Sequence, residues 1–297
     1  MGEKIGAIDA WAGCVGKLPN LQWPEEIRHI FRRYGTWEKL EKGYSAEEMI
    51  ADMDQWDVEV CILTAFRFGP VNITNEAVAE LVKKYPRRFI GSGTVDPRGK
   101  PMDVVREVEH LVHDLGIRIL RLEPYAYGDG MTYGAPPNQK IYWPVYIKCC
   151  ELGVPVVIQV GHTGPLLPSE CGRPIYLDEV ALAFPELKII GAHLGQPWHE
   201  EMMILAWKHP NVYIDTSARS PRYWPKSFVE FIKTYGQDKV LWGTDYPLLS
   251  FERCMKEIDG LGFDLPIKRK LLRENVIRAF NLEFGKDSES QDLRERR

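Results

Sequence analysis

The stretch Ala7–Lys17, "AIDAWAGCVGK", decides the fold. Its first half reads as a buried strand, with small apolar residues around one carboxylate, and it runs out into a loop. A doubly wound α/β sheet usually announces itself at this point with a Gly-x-Gly-x-x-Gly turn that lets a phosphate approach the next helix. "DAWAGCVGK" does not make that pattern, which leaves a closed barrel as the better reading. Strict alternation along the strand puts Asp9, Trp11 and Gly13 on one face.

Working outward, apolar strand segments alternate with helical ones throughout. The strands are "KIGAIDAW", "VEVCILTAF", "FIGSGTVD", "IRILRLEP", "VPVVIQVG", "LKIIGAH", "NVYIDTS" and "KVLWGTDYP". Between them lie amphipathic patterns such as "NEAVAELVKKYP", "PMDVVREVEHLVHDLG" and "EEMMILAWKHP". Near-continuous apolar strands separated by helices imply a parallel sheet covered on both faces. Eight of them in 297 residues imply a single (β/α)8 TIM barrel over 1–285, with its active site at the C-terminal ends of the strands. The remaining segment 286–297 is charged and polar and reads as a disordered tail.

Composition narrows the function. With 44% hydrophobic residues the chain can bury a large core, and a net charge of −4 without a basic tract disfavours nucleic acid as a partner. No segment has the apolar length of a membrane span, and the N-terminal residues lack the apolar core of a signal peptide. The six cysteines, Cys14, Cys61, Cys149, Cys150, Cys171 and Cys254, are scattered without a Cys-x-x-Cys pair. That usage points to a reducing, cytoplasmic compartment. The helix "EEMMILAWKHP" carries enough apolar surface for a homodimer contact, or simply packs on the barrel.

Two long connections leave strand ends. Residues 15–44, rich in Trp, Arg and Tyr, follow the first strand, and 124–140, "PYAYGDGMTYGAPPNQK", follow the fourth. Both are candidates for pocket walls or a lid. Polar side chains at strand ends supply the chemistry. His193 ends the sixth strand and Asp245 the eighth; an apolar strand seldom ends in a carboxylate without a partner. Gln159 lies in the fifth strand, with His162 just beyond. Arg121 and Glu123 share a face of the fourth, either as a salt bridge or as a clamp for a substrate carboxylate. Of Asp215 and Thr216 on the seventh, only one can point inward.

Together these motifs resemble the amidohydrolase-related family of the amidohydrolase superfamily, metal-dependent barrel enzymes. The resemblance rests on "IDAW", "KKYPRRFIGSGTVDP", "ELGVPVVIQVGHTG", "FPELKIIGAHLG", "HPNVYIDTS", "VLWGTDYP" and the closing "ENVIRAFNL", in that order. It implies hydrolysis of a small cyclic amide, ester or lactone, or decarboxylation of a small aromatic-derived acid. The family's metal site uses two alternating histidines on strand 1, one on strand 5, one on strand 6 and an aspartate on strand 8. His193 and Asp245 match that pattern, while Trp11 and Gly13 stand at the strand-1 histidine positions. In a Glu-x-His register Asp9 takes the carboxylate's place. On strand 5 either Gln159 or His162 aligns, with Gln159 keeping the strand register.

An indole N–H donates only and cannot ligate, and glycine offers no side chain. The remaining candidate ligands are Asp9, His162 and Asp245, for a zinc or manganese ion. A metal-free site is the favoured expectation. In it Asp245, His193 and His162 would do acid–base work, while Asp9, Trp11, Arg121, Glu123 and Gln159 would bind a planar, anionic small molecule, with Trp11 as the pocket floor. The competing expectation is a barrel without catalysis that binds a ligand or serves as a scaffold.

Overall fold

The computed structural model describes residues 4–13, 23–128 and 133–283. Cys14 and the tail 286–297 lie outside the described residues. Eight strands form one parallel sheet in chain order. They are β1 (Ala7–Gly13), β2 (Val58–Thr64), β3 (Phe89–Thr94), β4 (Ile119–Leu122), β5 (Val156–Gln159), β6 (Ile189–Ala192), β7 (Val212–Asp215) and β8 (Val240–Leu241). The end of β8 returns to β1. Ala10 N donates to Trp242 O (3.0 Å), Gly13 N to Tyr246 O (2.7 Å) and Asp245 N to Trp11 O (2.8 Å). These bonds close the sheet into the (β/α)8 barrel that the strand pattern implies.

The core has the two layers such a barrel requires. Ile8, Val60, Ile119, Val157, Ile190 and Leu241 fill the lumen. Their alternate neighbours, among them Cys61, Leu120, Ile158 and Ile214, pack against the helices.

The alternation expected for β1 does not hold. Asp9 pairs with Cys61 and Ala12 with Leu63, so three steps on β1 face two on β2. This is a bulge, and it inverts the side-chain sequence. Ile8, Ala10 and Trp11 belong to the lumen, whereas Ala7 and Ala12 belong to the helix-facing core. Asp9 is buried next to Cys61 and Cys254 of that outer core. Asp9 and Trp11 therefore point to opposite sides of the sheet.

The long connection after β1 is not only loop. It contains helices α1 (Glu25–Tyr34) and α2 (Trp37–Lys42). Acidic residues open α1 and basic ones close it, in the sense the helix dipole favours, and Gly35 ends it with a left-handed φ of 72°. Lys39 of α2 bonds Asp52 (2.9 Å), and it also contacts the hydroxyl of Tyr246. The α2 segment is thereby anchored at the end of β8. A short hairpin, Phe66–Phe68 with Val71–Ile73, follows β2 and was not apparent from the strand pattern. No described helix is long and apolar enough to cross a membrane. On the helix His199–Lys208, Ile204 and Trp207 face solvent rather than the barrel.

Candidate active site

A cavity of about 1170 Å³ opens at the C-terminal ends of the strands. Its floor includes Arg121, Gln159, His193 and Asp245, with His162 at the rim and Arg219 from the loop after β7. Ile27, Phe31 and Tyr34 of α1 wall it on one side, and Phe66 and Tyr125 on another. Both long connections thus contribute to the pocket, as their aromatic content suggested.

His193 and Asp245 sit where apolar strands end, and both have left-handed backbones, φ 62° and 58°. Positive φ is uncommon for residues with a side chain and is sustained only by surrounding structure. Here the backbone bond from Asp245 N to Trp11 O fixes one of them. His193 is held through Nδ1, which lies 3.1 Å from Ser217 O and 2.9 Å from Ser217 Oγ. A carbonyl oxygen can only accept, so Nδ1 carries the proton and Nε2 presents a lone pair. Ser217 Oγ in turn donates to Asp215 Oδ2. Gly243 makes room for that carboxylate, since a Cβ there would strike Asp215 Oδ1. Asp215 is the residue of its pair that joins the site; the Thr216 hydroxyl donates to Leu241 O (3.1 Å).

The electrostatics follow from burial. Desolvation pushes the His193 imidazole well below its ordinary range, and Arg219 and Arg121 push it further. The ring is neutral. Desolvation also raises Asp245, opposed by Arg121, by the hydrogen bond from Trp11 and by Arg219. Burial lifts Asp215 to about 7. His162 is shifted down by desolvation and by Arg219. Its Nδ1 lies 3.1 Å from Thr163 O.

Trp11 stands at the strand-1 position where the resemblance implies an imidazole. Its Nε1 donates to Asp245 Oδ1 (3.2 Å), and its ring meets His193 edge to face with centroids 5.0 Å apart. The Arg121 guanidinium lies 3.5 Å above the indole and 5.3 Å from the Phe66 ring. This stacked arrangement favours a planar cation. Trp11 is buried beneath that guanidinium, so Arg121, not Trp11, forms the cavity floor. Of the two readings of Arg121 and Glu123, salt bridge or substrate clamp, the salt bridge is present, and both residues are buried. Glu123 does not line the cavity; burial raises its pKa and Arg121 opposes the rise. Gln159 is anchored through Nε2 to Val160 O (3.3 Å) and His162 O (3.2 Å).

The ligand set Asp9, His162 and Asp245 is not assembled. The β1 bulge turns Asp9 away from the cavity. There its carboxyl takes hydrogen bonds from Trp11 N (3.1 Å), Thr244 N (2.9 Å) and Thr244 Oγ1. It acts as a clip between β1 and the end of β8, with its pKa raised to about 8 by burial. Nor is Asp9 placed to touch a substrate. Among the described residues no group of three His, Cys, Asp or Glu side chains could hold a metal ion. Of the pattern that the resemblance implies, His193 and Asp245 remain, with His162 at the rim, and the carboxylate is tied to an indole N–H. This donor set does not fit a zinc or manganese centre.

Sequence reasoning missed three residues of this site. Ser217 and Arg219 follow β7 in "DTSARS", and Tyr34 closes α1. A basic residue four positions past a strand-end aspartate was the available signal for Arg219.

The amidohydrolase family profile matches residues 64–282. The chain belongs to the amidohydrolase family. Among solved structures it resembles an uncharacterized TIM-barrel protein from Bordetella bronchiseptica, with TM-score 0.79 and 22% identity over 93% of this chain and 98% of that one. It also resembles 5-carboxyvanillate decarboxylase from Novosphingobium aromaticivorans, a mutant structure with bound manganese and 3-methoxy-4-hydroxy-5-nitrobenzoic acid. There the TM-score is 0.70 and identity 18%, over 95% of this chain and 99% of that one. In sequence it is similar to a 2-keto-4-carboxy-3-hexenedioate hydratase from a Sphingobium strain, 27% identical over 140 residues. That match covers 42% of this chain and 41% of the hydratase.

Proposed function

We propose that this barrel hydrolyses a small cyclic ester, lactone or amide bearing a carboxylate, by acid–base groups of the protein without a metal. The observation that carries the reading is the cluster around Trp11: Asp245 on its N–H, His193 on its edge and Arg121 on its face. Trp11 engages Asp245 Oδ1, leaving Oδ2 for a proton. Burial makes that carboxylate a stronger base than one in water. His193 Nε2 accepts a hydrogen bond from the attacking water and orients it.

As the water oxygen adds to the carbonyl carbon, its proton passes to Asp245 Oδ2. The oxyanion forms beside the Arg121 guanidinium, whose charge is fixed in place by Trp11, Phe66 and Glu123. On collapse the ring C–O or C–N bond breaks, and Asp245 returns the proton to the leaving atom. A lactone and one water become one hydroxy acid.

A second reading, decarboxylation of an aromatic acid, is favoured by the raised pKa of Asp245, since a protonated carboxyl can deliver a proton to the ring carbon that loses carbon dioxide. One experiment separates the two. Candidate acids and lactones are incubated with the protein in H₂¹⁸O. One ¹⁸O in the product carboxyl without gas release supports hydrolysis, and stoichiometric carbon dioxide supports decarboxylation. Turnover of neither kind across such a panel would favour the non-catalytic, ligand-binding barrel.

We place the protein in the cytoplasm, where the five described cysteines, all free, suit the reducing conditions. The outward Ile204 and Trp207 suit a homodimer contact, which sedimentation velocity would test.

A further inference from the structure

Two guanidiniums line the cavity, Arg121 buried and Arg219 half-buried, and they differ in their partners. Arg121 is paired with Glu123. Arg219 forms no ion pair with a carboxylate among the described residues. Its Nε donates to His193 O at 3.3 Å, and the Tyr34 phenol faces it from α1. The phenol oxygen also accepts a hydrogen bond from the guanidinium, so the hydrogen-bond partners of Arg219 among the described residues are neutral groups. A desolvated cation without an anion is unfavourable, and desolvation draws the Arg219 pKa down accordingly. Natural cavities keep such a group where an anionic ligand completes it, and a guanidinium matches a carboxylate with two parallel hydrogen bonds.

We infer that Arg219 binds a carboxylate of the substrate, in the same cavity as Arg121. Both guanidiniums line one cavity with His193 and Asp245, and both depress the first and oppose the rise of the second. The substrate class is then a small planar ring with its reacting carbonyl at Arg121 and an anionic group at Arg219. The inference depends on the hydrolase reading only for what happens at Arg121; binding at Arg219 stands apart from turnover.

Tyr34 is the positioning residue. Its hydroxyl donates to Ala218 O (3.1 Å) beside the guanidinium, so the wall helix α1 and the carboxylate site meet at one phenol. A carboxylate on Arg219 thereby also holds α1 over the cavity.

Calorimetric titration of the full chain with benzoate and with benzamide tests this, because the two share shape and differ in charge. The wild type is expected to favour benzoate by about tenfold. In Arg219→Met benzoate falls to the level of benzamide, while benzamide is unchanged. Arg219→Lys keeps part of the preference and gives the answer if the methionine variant does not fold. Asp245→Asn keeps the preference even if all turnover is gone, which separates this inference from the hydrolase reading. A wild type indifferent to the charge would overturn the inference. So would a preference that survives in both Arg219 variants, or one that Arg121→Met removes while Arg219→Met does not.

Discussion

The mouth of the barrel has two unlike halves. On the side of β6, β7 and β8 the strand ends carry acid–base groups: His193, Ser217 with Asp215, and Asp245. On the side of β1, β4 and β5 the corresponding positions carry packing: an indole, a guanidinium stacked on it, and an amide bonded to backbone carbonyls. The two halves converge on Trp11, which touches Asp245 by hydrogen bond, His193 by ring edge and Arg121 by ring face. The difference teaches that one side of a barrel rim can carry titratable groups while the other carries a stacked organic cation. A guanidinium held over an indole supplies positive charge at the strand ends without any ligand geometry.

The largest expected effect breaks the acid–base half. Asp245→Asn keeps the shape and removes the base, so steady-state turnover should fall about 10³-fold with the circular dichroism spectrum unchanged. A loss of less than tenfold would mean that Asp245 is not the base. Next comes the packing half. Trp11→Ala removes a fully buried ring from under Arg121 and should cost about 3–5 kcal/mol in urea unfolding. A cost below about 1 kcal/mol would contradict the supporting role given to the indole.

Ser217→Ala removes the hydroxyl contact to His193 Nδ1 but leaves the Ser217 carbonyl in place. We expect kcat to drop by about tenfold with KM nearly unchanged, because the imidazole is less firmly oriented. A change confined to KM would make Ser217 a binding residue instead.

The carboxyl groups buried behind both halves give a pH signature. Asp9 holds its proton to about pH 8 in the fold and Asp215 to about pH 7, against 3.8 for each when exposed. The folded chain therefore binds more protons than the unfolded chain over that window. The stability these groups contribute is complete below about pH 4 and is lost as the pH rises through 7 to 8. Urea midpoints should fall between pH 5 and pH 8, and Asp9→Asn should flatten the decline. Equal slopes in the two proteins would remove Asp9 from the explanation. Smallest of all, Tyr34→Phe should weaken benzoate binding by a few-fold, through one lost hydrogen bond at the junction with α1.

The barrel was legible in the sequence because burial on both faces writes each strand as an apolar run, and eight runs in order leave few alternatives. His193, Asp245, His162, Arg121 and Gln159 were legible as polar breaks at strand ends, and the structure puts all five on one cavity. Asp9 was misplaced because alternation assumes a regular strand, and one extra residue between Asp9 and Ala12 reverses the faces. Trp11 was assigned to the right cluster but to the wrong depth, since nothing local shows that Arg121, far along the chain, covers it. Arg219 and Ser217 escaped notice because loop residues have no period, and their roles follow from the turn after β7. The helices α1 and α2 carry capping and charge signals, but they lie within the segment 15–44, which reads as a connection between strands.

The central claim is that the Trp11 cluster replaces a metal centre. It is tested most directly by the metal content of protein expressed without an affinity tag and purified without added metal, measured by plasma mass spectrometry, with turnover followed after chelation. The account predicts far less than one equivalent of zinc or manganese and turnover indifferent to the chelator. About one equivalent of either metal, lost together with activity on chelation and restored with it, would contradict the account.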